Sequence, residues 1–138
     1  ITGADYFGLG MRFPQSMDVG GEFRNADGRV GVPGTNAQRS RWCSYAAGVD
    51  GRPVTVAVFD DPENVRHPAT WFTMEKPFAY LSATLNLKNE SLELNRGETM
   101  TLRYGVAVWD GTPAAARIET LYRRWLREIR RHETTSPR

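Results

Sequence analysis

The strongest constraint on the fold is an Asp-Gly pair between two β-rich runs. RWCSYAAGV precedes Asp50-Gly51, and RPVTVAVF follows it. Both residues of an Asp-Gly pair readily adopt a positive φ, so the pattern predicts a tight β-hairpin. In the second arm Val54, Val56 and Val58 lie on one face of the strand, and we assign that face to the core.

A second alternating pattern, from residue 99 to residue 109, predicts another strand. Every second residue there is apolar, namely Met100, Leu102, Tyr104, Val106 and Val108. We expect further strands at residues 7–13, 22–24, 69–74, 78–87 and 91–94. Seven or so strands joined by Gly, Pro and Asn turns predict a mainly β protein, an antiparallel β-sandwich.

One amphipathic α-helix is predicted after the strands, over residues 113–132. Thr112 is a suitable N-cap and Pro113 suits the first helical position. Apolar residues recur at helical spacing, and arginines crowd the last turns. We expect the apolar face to pack on a sheet; a helix that binds nucleic acid or a membrane is the alternative. Residues 1–132 then form a single domain, and residues 133–138 form a disordered tail.

Composition argues against several classes of protein. A chain of 138 residues with 40% hydrophobic and 25% charged residues is ordinary for one globular domain. No apolar run approaches the roughly 18 residues of a membrane span. The net charge of +2 comes from the C-terminal segment, so a nucleic-acid-binding surface is not expected. Cys43 is the single cysteine, and its place in mid-strand predicts a buried, inert thiol.

Polar and titratable side chains concentrate at residues 60–71, directly after the hairpin. Loops at strand ends are common places for binding and catalytic groups. Asp61, Pro62 and Asn64 fit a capped turn, so Asp60 is the better candidate for acid–base chemistry. His67 is the second candidate catalytic residue because imidazole titrates near neutrality. Alternatively, His67 binds a carbonyl group and holds the loop.

Aromatic rings beside amides and charged groups suit a sugar ligand, since sugar C–H faces stack while hydroxyls form hydrogen bonds. We expect Trp71 and Trp42 to stack, and Asn64 and Arg66 to bind hydroxyls or a carboxylate. Packing in the core is the alternative for each tryptophan. No cofactor is predicted, because phosphate-loop and dinucleotide fingerprints are missing from the sequence. No metal site is predicted either, because one histidine with carboxylates lacks a diagnostic ligand spacing.

Three segments resemble one uncharacterised bacterial family, labelled PmoA-like or methane-oxygenase-like. They are FGLGMRFP, RWCSYAAGVDGRPVTVAVFDDPENVRHPATWF and LRYGVAVWDG followed by a helix with LYRRW, and they span nearly the whole chain. Members of that family look like β-supersandwiches related in shape to galactose mutarotase, and many occur beside sugar-processing genes. The resemblance implies a carbohydrate ligand and slightly favours a periplasmic or secreted location.

The resemblance also bears on partners. Domains of that family are roughly twice as long, so the chain looks like their C-terminal half. Half a supersandwich leaves a sheet edge or an apolar face open. We therefore expect a homo-oligomer or association with a missing N-terminal half. Two functions stay open: a carbohydrate-active protein that binds or processes a sugar at residues 60–71, and a noncatalytic sugar-binding or structural module.

Overall fold

A computed structural model describes residues 1–135 as two antiparallel sheets with one long C-terminal helix. In chain order the elements are β1 (Gly8–Arg12), a 3₁₀ turn (Gln15–Met17), β2 (Glu22–Asn25), α1 (Gly31–Thr35), β3 (Trp42–Val49), β4 (Arg52–Asp60), β5 (Thr70–Met74), β6 (Tyr80–Thr84), β7 (Tyr104–Asp110) and α2 (Ala115–Thr135). The strand orders are β1-β6-β5 and β2-β3-β4-β7. The predicted mainly β, sandwich-like fold with a C-terminal helix is confirmed.

The predicted Asp-Gly hairpin joins β3 to β4. Asp50 and Gly51 have φ angles of 50° and 76°, and Val49 lies opposite Arg52. Positive φ at both positions gives the turn a twist that matches the flanking strands. This turn fixes the register of the whole hairpin, and therefore decides which residues of β4 face the core.

The main core lies between the two sheets. Val56 and Val58 face inward as expected and are 9% and 2% exposed, whereas Val54 lies near the hairpin end and is only partly buried. They pack in one cluster with Tyr45, Trp71 and Leu81. Alternation along β4 sends the residues between them to the opposite face of the same sheet.

That opposite face of the four-stranded sheet is covered by α2. Ile118 and Tyr122 are the buried residues of the helix, and they pack against Trp42, Ala57 and Phe59. The predicted amphipathic packing of the helix is therefore confirmed. Within residues 1–135, no helix is long and apolar enough to cross a membrane.

Several element boundaries differ from the predicted ones. The helix spans Ala115–Thr135 rather than residues 113–132. Residues 133–135, expected in a disordered tail, thus continue the helix, and the hydroxyls of Thr134 and Thr135 bond to carbonyls of the preceding turn. The rest of the expected tail, residues 136–138, lies outside the described part of the chain.

The strand expected at residues 99–109 begins only at Tyr104, and residues 91–94 form no strand. The reason for the late start is the length of the neighbouring strand. Tyr104 pairs with Asp60, the last residue of β4, and the chain leaves the sheet there. Residues 99–103 therefore have no strand to pair with, although their sequence alternates well.

β7 forms one edge of the four-stranded sheet and is incompletely covered. Val106 and Val108 pair with Val58 and Val56, so all four point to the inner side of the sandwich. The two valines of β7 are nevertheless 54% and 65% exposed. α1 contacts both β2 and β5, which places the three-stranded sheet over the β2 side and leaves the inner face of β7 open.

Candidate functional site

Asp60 organises the loop that follows β4. The residue is 1% exposed, and its carboxylate accepts three hydrogen bonds. Oδ1 accepts from Asn64 Nδ2 at 2.7 Å, while Oδ2 accepts from the Ala69 N–H at 2.8 Å and from His67 Nδ1 at 2.6 Å. A buried carboxylate needs such donors to offset its desolvation. Asp60 thus positions other groups and is itself closed to solvent.

His67 is the member of this pair that reaches the surface, with 21% of its side chain exposed. When Nδ1–H donates to Asp60, the neutral ring carries its free lone pair on Nε2. Among residues 1–135, no hydrogen bond to Nε2 is present. A buried carboxylate that orients a histidine in this way leaves Nε2 able to accept a proton or a hydrogen bond.

Two tyrosines enclose Asp60 from other elements. Tyr104 lies opposite Asp60 in the β4–β7 register, and burial together with the charge of Asp60 raises the pKa of Tyr104 to about 12. Tyr122 of α2 donates its O–H to the Asp60 carbonyl at 3.2 Å. Burial, and then the charge of Asp60, raise the pKa of Tyr122 to about 12. Both phenols therefore stay neutral near pH 7.

Asp61 and Asn64 have the turn role suggested by the sequence, and the Asn64 amide, also expected to bind a ligand, is bonded within the protein. Asp61 Oδ1 accepts from the Glu63 N–H at 3.0 Å, as a turn cap does. Asn64 Oδ1 accepts from the Arg103 N–H, and its Nδ2 donates to the Arg103 carbonyl, both at 2.7 Å. Arg103 Nη1 also lies 3.3 Å from Asp61 Oδ2. These contacts hold the loop against the start of β7.

Arg66, expected to bind a ligand, clamps a neighbouring loop. Its Nη1 donates to the carbonyls of Leu85 and Glu90 at 2.6 and 2.7 Å, and its Nη2 donates to the Ser91 carbonyl at 2.8 Å. The residue has a φ of 63°, in the left-handed region that few non-glycine residues occupy. Three of its five N–H donors are therefore directed at backbone carbonyls.

Trp71 and Trp42, expected to stack on a sugar, are both only 1% exposed. The Trp71 indole N–H donates to the Ser40 carbonyl at 2.7 Å, and Trp42 lies beneath α2. Neither ring has an open face, so both follow the core-packing alternative in this conformation. Cys43 is also fully buried, and burial raises the pKa of its thiol, in line with an inert cysteine.

His67 lines none of the five main grooves of the described residues. One, with a volume of about 490 Å³, crosses the outer face of the four-stranded sheet and includes Glu22, Arg24 and Thr112 in its walls. A second, of about 380 Å³, lies beside Tyr104, Val106 and Trp125, and another, of about 310 Å³, lies beside Trp71 and Asn89. Within the described residues, no group of three or more His, Cys, Asp or Glu side chains could hold a metal ion. The hydrogen bond between Asp60 and His67 equips this pair for proton transfer and hydrogen bonding.

Tertiary contacts add groups that the sequence did not identify as part of the site. Tyr104 and the backbone of Arg103 reach the loop only because β7 pairs with β4 at Asp60. The alternation around Tyr104 predicts a strand, but it carries no information about the register. Tyr122 arrives from α2, whose apolar spacing predicts burial without naming its partner.

Comparisons with known proteins yield a family but no individual relative. Neither the curated proteins nor the solved structures provide a match to this chain. The profile of the family described as "Family of unknown function (DUF6807)" matches residues 1–123. That span includes all seven strands and the first part of α2. The chain belongs to this family of unknown function, DUF6807.

Proposed function

We propose that the protein binds or processes a sugar or sugar derivative at His67, with Asp60 as the positioning residue. The observation that carries this proposal is the Nδ1–Oδ2 hydrogen bond of 2.6 Å between a buried aspartate and a partly exposed histidine. A ring held by its Nδ1 directs Nε2 at a ligand without a further loss of side-chain entropy.

A sugar hydroxyl suits such a nitrogen chemically. Nε2 accepts the hydrogen bond of a hydroxyl, and in a reaction it takes the hydroxyl or C–H proton that leaves. Tyr104, partly exposed and opposite Asp60, supplies an aromatic side chain in the same region. This replaces the stacking role expected of Trp71, whose ring is buried. The choice of a carbohydrate is supported by the resemblance to the PmoA-like family.

A noncatalytic sugar-binding or structural module is the second candidate. The internal bonding of the loop favours it, because Asn64 and Arg66 direct their polar groups to the protein's own backbone. A catalytic site also requires a concave pocket around the reacting group, and His67 lines none of the main grooves of the described residues. In this alternative His67 contributes to binding or to loop stability without turnover.

The first experiment tests for binding with a matched pair of histidine variants. A mixed library of mono- and disaccharides is screened against the protein by saturation-transfer NMR. We expect at least one sugar to bind, His67→Ala to lose that signal, and His132→Ala to keep it. His132 is exposed near the end of α2 and is the only other histidine. The proposal is wrong if no sugar binds, or if both variants bind equally well.

Turnover then separates the two candidates. The sugar identified by NMR is incubated with the protein, and its anomeric and ring-proton signals are followed over time. Accelerated interconversion or cleavage that His67→Ala abolishes supports an enzyme. Binding with unchanged spectra supports the noncatalytic module. Thermal melting of each variant, monitored by circular dichroism, shows whether a lost signal reflects unfolding.

A further inference from the structure

The outer side of β7 is an open edge of the four-stranded sheet. β7 pairs with β4 on one side only, so its other side presents backbone N–H and C=O groups without strand partners among residues 1–135. Its inward-facing valines, Val106 and Val108, are 54% and 65% exposed. An open strand edge beside exposed apolar side chains favours pairing with another strand.

This edge also lacks the features that normally prevent such pairing. Residues 104–109 contain no charged residue and no proline. At the opposite edge of the sheet, β2 has only four residues, carries Glu22 and Arg24, and contacts α1. Short length, charges and a covering helix are the usual protection of a sheet edge. β7 has seven residues, and its single charged residue, Asp110, lies at its end.

We propose that two copies of this chain associate through antiparallel β7–β7 pairing centred on Ala107. The sequence YGVAVWD is complementary to itself in that register. Val106 of one copy lies opposite Val108 of the partner subunit, and Gly105 lies opposite the partner's Trp109. β-Branched pairs and an aromatic ring over a glycine are favourable cross-strand neighbours. The two four-stranded sheets become one continuous sheet of eight strands.

The size of the surface is close to what a dimer needs. Seven paired residues span about 23 Å. The edge of the molecule at β7 is on the order of 20 Å thick, because it consists of two layers, the four-stranded sheet and α2, each about 10 Å thick. The projected area is then on the order of 500 Å², and a rough surface has a larger accessible area. Stable interfaces bury roughly 800 Å² per partner, so pairing of β7 with its flanking side chains approaches that requirement.

Charge does not oppose this arrangement. Asp110 is the only charged residue of β7, and the register sets it opposite the neutral Tyr104 of the partner. A two-fold axis at Ala107 keeps the two Asp110 side chains at opposite ends of the paired strands. Val106 and Val108 of one copy lie opposite Val108 and Val106 of the partner subunit. The interface therefore has an apolar centre with polar ends, as two-fold protein interfaces commonly do.

The pairing would also extend the site at His67. Asp60 lies opposite Tyr104, and Tyr104 lies opposite Asp110 of the partner subunit. All three side chains are on the inner face of the sheet. The backbones of Asp60 and the partner's Asp110 are then about 10 Å apart, two strand spacings. The second copy thus brings an exposed carboxylate into the neighbourhood of the Asp60–His67 pair.

The mass of the protein in solution tests the dimer directly and is independent of any sugar ligand. Light scattering coupled to size exclusion should give twice the 15.6 kDa chain mass. Val108→Lys should reduce the mass to that of one chain, because it places a charge at the centre of the interface. Val19→Lys is the matched control, since Val19 is 83% exposed and lies outside β7. A monomer at about 100 μM, or a Val108→Lys variant that is still dimeric, overturns the proposal.

Cysteine cross-linking tests the register. An oxidised mixture of Val106→Cys and Val108→Cys proteins should form a disulfide-linked dimer, because these positions lie opposite each other. Each variant alone should cross-link at least tenfold more slowly, since its own copies are diagonal neighbours. The native Cys43 is buried and does not compete. Equal cross-linking in all three samples overturns the Ala107-centred register, and its absence from the mixture overturns the β7 pairing.

Discussion

The indole N–H of Trp42 donates to Glu119 Oε2 at 2.8 Å and thereby joins β3 to α2. The Glu119 carboxylate also accepts from Arg41 Nε at 3.0 Å and from Arg123 Nε at 3.0 Å. Burial raises the pKa of Glu119, but the hydrogen bonds from Trp42, Arg123 and Arg41 outweigh it, so the pKa lies below its ordinary value. The contact between sheet and helix therefore depends on a charged glutamate.

The first prediction concerns acid stability. A carboxylate with a lowered pKa in the folded state stabilises that state above the unfolded-state pKa, and the contribution is lost as the pH falls through the folded-state pKa. We expect the melting temperature to decrease as the pH drops below about 4. In Glu119→Gln this decrease should be less steep. Melting curves between about pH 3 and about pH 7 measure this. Glu93→Gln, in an exposed loop, should keep the wild-type slope; an unchanged slope in Glu119→Gln contradicts the prediction.

The second prediction compares the two aspartates of the loop. Asp60→Ala removes an acceptor from the Ala69 N–H, the Asn64 amide and His67, so we expect a loss of about 3 kcal/mol in unfolding free energy. Asp61→Ala removes a turn cap, which should cost about 1 kcal/mol. Urea denaturation measures both values. Equal losses, or a larger loss in Asp61→Ala, would show that Asp60 does not organise the loop.

The third prediction concerns the Arg66 clamp. Lysine cannot reproduce the planar fork that reaches three carbonyls. We expect Arg66→Lys to lower the unfolding free energy by about 1 kcal/mol and to speed amide hydrogen exchange in residues 85–91. Arg96→Lys, in the exposed loop before β7, serves as the control. Unchanged exchange in residues 85–91 would mean that other contacts hold this segment.

The fourth prediction concerns the contact between β7 and α2. A Cβ atom at Gly105 would lie 2.9 Å from the Trp125 ring and 3.1 Å from the Phe59 ring. Gly105→Ala should therefore displace Trp125 and cost about 2 kcal/mol, with a red shift of tryptophan fluorescence. Gly48→Ala is the matched control, because a Cβ there meets no atom within 4 Å. Equal stability of the two variants would show that Trp125 shifts without cost.

The candidate site could be predicted only in part. The density of polar residues after a strand identifies residues 60–71, and the turn roles of Asp61 and Asn64 follow from local chemistry. The burial of Trp71 and Trp42 could not be predicted, because an aromatic ring at a strand position suits the core and a ligand equally well. The structural role of Arg66 could not be predicted from the sequence either, because the carbonyl groups that it binds are 19 to 25 residues away.

Local patterns determined the strands, the Asp50-Gly51 hairpin and the amphipathic helix, because backbone geometry and side-chain period depend on neighbouring residues. The tertiary structure decided which of these patterns form strands and which apolar residues are buried. Residues 99–103 alternate like a strand but have no partner, because β4 ends at Asp60. Val106 and Val108 belong to an apolar row but remain exposed, because the facing sheet does not cover them. The Asp60–His67 pair, finally, exists because the loop folds back onto the strand that precedes it, which depends on contacts distant in sequence.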